Sequence, residues 1–112
     1  MSWNITACIT IFPPSRGGRS TPLPPPEVRY SPPLCIPGHK DMMNCMIARK
    51  DAIGFDEPTK VRIELNCMDS EVRLFQAGTA FGIWEGRLIG QGVVIDGPSP
   101  EGKTGVASGD EC

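Results

Sequence analysis

The chain has 112 residues, 39% of them hydrophobic, and a formal net charge of −2 at pH 7. This length fits one domain with a real core, and no apolar run approaches the roughly 20 residues of a membrane-spanning helix. Residues 1–95 carry ten basic and nine acidic side chains, a net charge of +1 that excludes a strongly basic, polyanion-binding protein.

The first half begins with a strand and continues into a proline-rich loop. Residues 5–12 are rich in β-branched side chains, which favour a strand. Eight of the twelve prolines then fall within residues 13–33, so this segment is predicted as a loop. The predicted inward face of the first strand consists of Ile5, Ala7, Ile9 and Ile11.

Further strand patterns follow along the chain. Residues 34–36 and 45–47 are short candidates, whereas residues 60–67 alternate polar and apolar at every position. That alternation points Val61, Ile63, Leu65 and Cys67 inward. Residues 72–75 fit either another short strand or a turn, and residues 79–84 and 88–95 fit a closing hairpin.

These patterns together predict an all-β domain over residues 1–95. No window shows a convincing helical stripe, and several short strands separated by turn residues are typical of an antiparallel barrel or sandwich. Residues 96–112 are mostly Gly, Ser, Pro and acidic, so we expect a disordered tail there. The N-terminus lacks the positive segment of a signal peptide, and the expected location is cytoplasmic.

The five cysteines are expected to be free thiols, because their count is odd and their spacing irregular. Cys35, His39 and Cys45 form the one conceivable metal cluster. Zinc usually takes four ligands in two closely spaced pairs, and this spacing does not supply them. The sequence therefore predicts no metal and no other cofactor. It also contains no recognisable nucleophile motif or carboxylate pair, so we expect no catalytic residues and no enzyme.

Four segments resemble the C-terminal β-barrel, domain III, of translation elongation factor Tu and related translation GTPases. Residues 7–12 look like its first strand, and residues 17–22, Gly-Gly-Arg-Ser-Thr-Pro, like its Gly-Gly-Arg-His-Thr-Pro loop. Residues 29–32, Arg-Tyr-Ser-Pro, are similar to a third motif. Residues 81–95, which contain Trp-Glu-Gly-Arg, look like the closing hairpin. The resemblance implies a stand-alone, six-stranded antiparallel barrel of Greek-key type.

In that family the barrel contacts the T-stem backbone of aminoacyl-tRNA and helps to bind a nucleotide-exchange factor. The resemblance implies RNA contacts at Arg19, Ser20, Glu85 and Gly86, with Arg87 and Trp84 beside them. Ser20 replaces the family's histidine and Trp84 its arginine, and the hairpin turn is one residue shorter. No Gly-x-x-x-x-Gly-Lys-Ser/Thr loop occurs, so neither nucleotide binding nor GTP hydrolysis is expected. The leading hypothesis is a non-catalytic module that binds tRNA, a translation factor or another protein.

An alternative is an adaptor that binds proteins through its proline-rich loop and Trp84, without a role in translation. Residues 19–27 contain an arginine followed by prolines at the spacing that aromatic grooves accept in polyproline II ligands. The same segment also fits a stiff structural loop, and Arg19 also fits a solvated loop arginine. The prolines concerned are Pro22, Pro24, Pro25 and Pro26.

Overall fold

The computed structural model describes residues 3–100 and residue 112. That part of the chain is nearly all β, with helix limited to one 3₁₀ turn, Pro14–Arg16, and one short α-helix. The strands are β1 Trp3–Ile11, β2 Leu34–Cys35, β3 Cys45–Ala48, β4 Thr59–Leu65, β5 Ala80–Trp84 and β6 Leu88–Pro100, and α1 spans Asp69–Val72. The prediction of an all-β domain is confirmed. No helix within residues 3–100 has the length and apolar character required to cross a membrane.

The six strands form one antiparallel sheet in the order β2-β5-β6-β1-β4-β3. The sheet curls into a half-barrel, which brings its first and last strands towards each other. Leu34 of β2 and Met43, just before β3, exchange backbone N–H···O bonds of 2.9 and 2.8 Å. These bonds satisfy backbone groups that an open edge would leave unpaired.

The core lies inside the curl and follows the alternation of the strands. The predicted inward face of β1 is confirmed, since Ile5, Ala7, Ile9 and Ile11 are each at most 2% exposed. Strand β4 contributes three further buried side chains at alternate positions, as predicted, whereas Cys67 lies beyond the strand end and is only partly buried. The β4 members of the core are Val61, Ile63 and Leu65.

The closing hairpin pairs β5 with β6 through the turn at residues 85–87. Gly86 has a φ of +74°, a left-handed conformation that glycine adopts without steric cost. At Gly90 an added Cβ would lie 2.8 Å from the carbonyl oxygen of Thr10. A small residue there lets β6 pair closely with β1.

Two boundaries differ from the sequence prediction. Val72 ends α1 and a turn follows it, so the strand alternative for residues 72–75 is wrong and the turn alternative is right. Asp69 and Glu71 place negative charge in the first turn of α1, where it favours a helix. Strand β6 continues to Pro100 beside β1, five residues past the predicted start of the tail. The expected disorder of the tail otherwise falls on residues 101–111, which lie outside the described residues.

Two of the five cysteines form a disulfide, Cys8–Cys112, so the expectation of five free thiols is wrong for this pair. Cys8 is only half-buried, because it alternates with the buried Ala7 and Ile9 on β1 and points to the outer side. An odd count leaves room for one bridge and three free thiols, and the free ones are Cys35, Cys45 and Cys67. The cytoplasmic location stays a prediction.

Candidate binding surface

The proline-rich loop is fastened to the sheet by Arg49, which follows β3. The Arg49 guanidinium donates hydrogen bonds to the carbonyl oxygens of Pro24 (3.2 Å), Pro25 (2.8 Å) and Val28 (2.7 Å). It also donates to the carbonyl oxygen of Ile47 at 2.9 Å. A proline-rich loop has carbonyl acceptors but few N–H donors to pair with them, so one arginine fork satisfies several acceptors at once. Burial lowers the pKa of Arg49, although the guanidinium stays charged at neutral pH.

Tyr30 lies at the centre of the arrangement. Its ring centroid is 5.6 Å from the guanidinium carbon of Arg49 and 5.7 Å from that of Arg19, within the range of cation–π attraction. Its hydroxyl donates a hydrogen bond to Oε2 of Glu85. Burial, together with the hydrogen bond and the negative charge of Glu85, raises the pKa of Tyr30 well above its ordinary value. The phenol is therefore neutral at physiological pH.

The hairpin turn meets the glycine-rich loop on the other side of Tyr30. The Arg19 guanidinium forms an ion pair with Glu85, and its Nε donates to the carbonyl oxygen of Thr21 at 3.1 Å. Arg87 donates to the carbonyl oxygen of Gly18 at 2.8 Å. Two segments that are more than 60 residues apart in the chain thus form one surface. We call its five central side chains the arginine cluster: Arg19, Tyr30, Arg49, Glu85 and Arg87.

The arginine cluster carries three positive charges and one negative charge, a net of +2, because Tyr30 is neutral. Glu85 partly neutralises Arg19, whose side chain is only 18% exposed. Arg87 is exposed, and its guanidinium has more N–H groups than its bond to Gly18 uses. The surface can therefore accept an anionic group at the Arg87 side of the turn.

Most of the predicted site residues lie at this surface. Arg19, Glu85 and Arg87 belong to the arginine cluster, and Ser20 and Gly86 are exposed beside it in the same loop and turn. Trp84 ends β5 half-buried, and its backbone N–H donates to the carbonyl oxygen of Pro33 at 3.1 Å. Among the predicted prolines, Pro22 and Pro25 are exposed, whereas Pro24 and Pro26 are half-buried.

Two members of the cluster were not predicted as site residues. Tyr30 is the one tyrosine of the chain and lies in the Arg-Tyr-Ser-Pro motif, which was noticed but given no role. Arg49 leaves no sequence signal, since its partners are backbone carbonyls far along the chain. An arginine that binds backbone carbonyl oxygens needs no particular side chains as partners, so it leaves no motif in the sequence.

A second polar cluster lies between the β2–β3 connection and α1, and it differs from the metal cluster considered from the sequence. Nε2 of His39 is 3.0 Å from Oε2 of Glu71. The nearest ligand atoms of His39, Asp41 and Glu71 lie within 4.8 Å of one another, and this is the one such group among residues 3–100 and 112. Cys35 and Cys45 do not join it. We call His39, Asp41 and Glu71 the histidine–carboxylate cluster.

The buried thiols near the second cluster are poor nucleophiles. Burial raises the pKa of Cys45 to about 12, and the nearby Cys67 adds to the effect. Burial, followed by the charges of Glu71 and Asp69, raises the pKa of Cys67 to about 11. Both sulfurs are protonated at neutral pH, whereas thiol chemistry requires the thiolate.

Comparison with known proteins identifies no relative: no protein-family model matches the chain, and no curated protein matches its sequence. The resemblance to the elongation factor Tu barrel therefore stays a prediction.

Proposed function

We propose that this protein is a non-catalytic binding module that contacts the sugar-phosphate backbone of a structured RNA, with a tRNA stem as the first partner to test. The observation that carries the proposal is the meeting of residues 17–22 with residues 85–87, two segments whose combined net charge is +1, from Arg19, Arg87 and Glu85. The same two segments correspond, in the proposed resemblance, to the RNA-contacting parts of the elongation factor Tu barrel. The proposal also includes that the six strands of this protein have the Greek-key barrel architecture of that domain.

The geometry divides the proposed roles among the predicted residues. Arg19 is mostly covered and bound to Glu85, so its part is to hold the loop against the turn. Arg87 and Ser20 are exposed and supply donors to phosphate oxygens. Gly86 has no side chain and lets the backbone of the turn approach the RNA closely.

So few phosphate contacts give weak and salt-dependent binding. With about one phosphate neutralised, by Arg87, raising the salt from about 50 to about 200 mM weakens binding roughly threefold. Recognition of an A-form stem by shape further predicts that a DNA hairpin of the same sequence binds less tightly.

The decisive experiment is fluorescence anisotropy with a labelled RNA stem-loop that has the sequence of a tRNA T-arm. We compare the protein with Ser20→Glu, which puts a negative charge on the proposed surface without removing a hydrogen bond of the arginine cluster. Ser70→Glu, at an exposed position of α1, is the matched control. Repulsion at the surface is expected to weaken binding by about fivefold or more in the first variant. No binding at low salt, or equal loss in both variants, would reject the proposal.

A second candidate is the protein-binding adaptor, which one observation favours: Pro22 and Pro25 are exposed and Trp84 is partly so. Against it, the carbonyl oxygens of Pro24 and Pro25 accept hydrogen bonds from Arg49, and polyproline II ligands offer such carbonyls to their partners. The double substitution Pro22→Ala and Pro25→Ala separates the two functions. It abolishes capture of a protein partner if the adaptor function is right and leaves RNA binding unchanged if the first proposal is right.

A further inference from the structure

The histidine–carboxylate cluster has the composition of a metal site, and two chain segments build it. His39 and Asp41 come from the connection between β2 and β3, and Glu71 comes from α1. The contact between Nε2 of His39 and Oε2 of Glu71 is 3.0 Å long. Donor atoms around a tetrahedral zinc ion, each about 2.1 Å from the metal, lie about 3.4 Å apart. The observed separations of the three ligand atoms are all within 4.8 Å.

The fold holds the carboxylate of Glu71 and the backbone of His39 in place without a metal. Oε1 of Glu71 accepts the backbone N–H of Met68 at 3.3 Å, which closes the first turn of α1. This bond fixes the carboxylate and points its other oxygen, Oε2, at His39, and the Glu71 side chain is only 12% exposed. The backbone N–H of His39 donates to the carbonyl oxygen of Ile36 at 2.9 Å, in a turn through Gly38 with a φ of +87°.

The charge at this position is unbalanced. Two carboxylates bring a charge of −2 to the group, and within residues 3–100 no lysine or arginine forms an ion pair with either acid. Without a metal, Nε2 of His39 donates a hydrogen bond to Glu71, and a bound metal would replace that proton. One nitrogen and two oxygens suit a borderline divalent cation. The simple alternative is a structural hydrogen bond between His39 and Glu71, with Asp41 as a solvated acid on the surface.

We propose that His39, Asp41 and Glu71 bind a divalent first-row transition metal, Zn²⁺ foremost, through one imidazole nitrogen and two carboxylates. Three protein ligands leave at least one coordination position for water or for an atom of a partner. The site is independent of the proposed RNA surface, since none of its ligands belongs to the arginine cluster. Either proposal can fail without the other.

The test is a titration of chelator-treated protein with Zn²⁺ against a chromogenic competitor chelator. One zinc ion is expected per chain. Asp41→Asn, which removes an exposed acid, is expected to weaken binding by about tenfold or more. His39→Ala is expected to do the same. The matched control is Asp69→Asn, which removes the same charge from an exposed position in the first turn of α1.

Two outcomes would overturn the proposal. One is the absence of stoichiometric zinc binding, and the other is an equal loss of affinity in Asp41→Asn and Asp69→Asn, which would indicate only nonspecific attraction to negative charge. The identity of the ligands needs a separate test, because Cys67 lies close enough to Glu71 for the charge of Glu71 to raise the pKa of the thiol. With Co²⁺ in place of zinc, a thiolate-to-cobalt charge-transfer band that disappears in Cys67→Ser would contradict the nitrogen-and-oxygen set. A d–d spectrum without that band supports it.

Discussion

The arginine cluster and the histidine–carboxylate cluster are both polar groups that join distant parts of the chain, yet they are built in opposite ways. In the first, most donors and acceptors are matched, since Arg49 donates to four carbonyl oxygens and Arg19 pairs with Glu85, although the buried Nε of Arg49 has no partner among the described residues. In the second, three candidate metal ligands converge and two of them are negatively charged. The first cluster satisfies most of its polar groups within the protein and leaves N–H groups of Arg87 for an anion, whereas the second, in our proposal, is completed by a cation.

The two clusters should therefore respond differently to substitution, the first by a loss of stability and the second by a loss of metal affinity. Removing a partner from a matched cluster leaves other buried polar groups unsatisfied, so the free energy of unfolding should fall. Removing an acid from an unbalanced cluster relieves repulsion, so the folded protein should tolerate the change while losing affinity for metal.

Gly18→Ala should disrupt the arginine cluster at the point where Arg87 binds the backbone of residue 18. A Cβ at Gly18 would overlap the carbonyl group of Phe12, a backbone position that cannot easily move, and Gly18 also accepts the hydrogen bond of Arg87. We expect a loss of about 3 kcal/mol in the free energy of unfolding, measured by urea denaturation. Gly17→Ala is the control: its Cβ would meet nothing within 4 Å, and its φ of +78° should cost only about 1 kcal/mol. Equal losses would contradict the close packing at Gly18.

Arg49→Ala should cost about 2 kcal/mol, because the carbonyl oxygens of the proline-rich loop lose a charged donor. Arg49→Lys should recover only part of this loss, since one ammonium group cannot reproduce the guanidinium fork. Arg62→Ala, at an exposed position of β4, should change stability by less than about 0.5 kcal/mol. Thermal and urea unfolding of the three variants provides the measurement, and full rescue by lysine would show that charge alone matters.

Tyr30→Phe should cost about 1 kcal/mol at neutral pH, because Glu85 loses a hydrogen bond while the ring stays in place. The folded-state pKa of Tyr30 is raised above its ordinary value of 10.0, so the folded protein holds the phenol proton more tightly than the unfolded chain. The stabilisation is complete below pH 10 and is lost as the pH rises towards the folded-state value. Cys45 and Cys67 also have raised pKa values in the folded state, so their ionisation destabilises the wild-type protein and the Tyr30→Phe variant equally at alkaline pH. The difference between the stability curves of wild type and variant therefore reports the ionisation of Tyr30 alone. A difference that stays constant above pH 10 would contradict the assignment.

Asp41→Asn should have the smallest effect on stability, less than about 0.5 kcal/mol in the presence of chelator, because the acid is exposed and lies beside another carboxylate. In excess zinc the wild-type protein should melt at a higher temperature than this variant, since binding to the folded state alone stabilises it. Differential scanning fluorimetry with and without zinc measures both quantities. A large loss of stability in chelator would show that Asp41 has a structural role after all.

The sequence predicted the fold better than the clusters, for a physical reason. The faces of β1 and β4 follow from a local alternation of apolar residues, which a single strand displays by itself. The arginine cluster was only half predicted: Arg19 and Glu85 lie in motifs, whereas Arg49 binds backbone carbonyls that no motif records. His39 was considered with the wrong partners, because Glu71 lies 32 residues away on a helix of four residues, too short to show a periodic pattern.

The disulfide between Cys8 and Cys112 gives the chain an unusual response to mechanical force. A pull applied to the chain outside these two residues is carried by β1 up to Cys8 and then by the sulfur–sulfur bond, so it bypasses the 103 residues between them. In a single-molecule stretching experiment the oxidised protein should therefore conceal about 350 Å of extended chain, at roughly 3.4 Å per residue, until a reductant is added. The part of the sheet that follows Cys8 is thus shielded from tension along its own chain, and only a change in redox conditions would expose it.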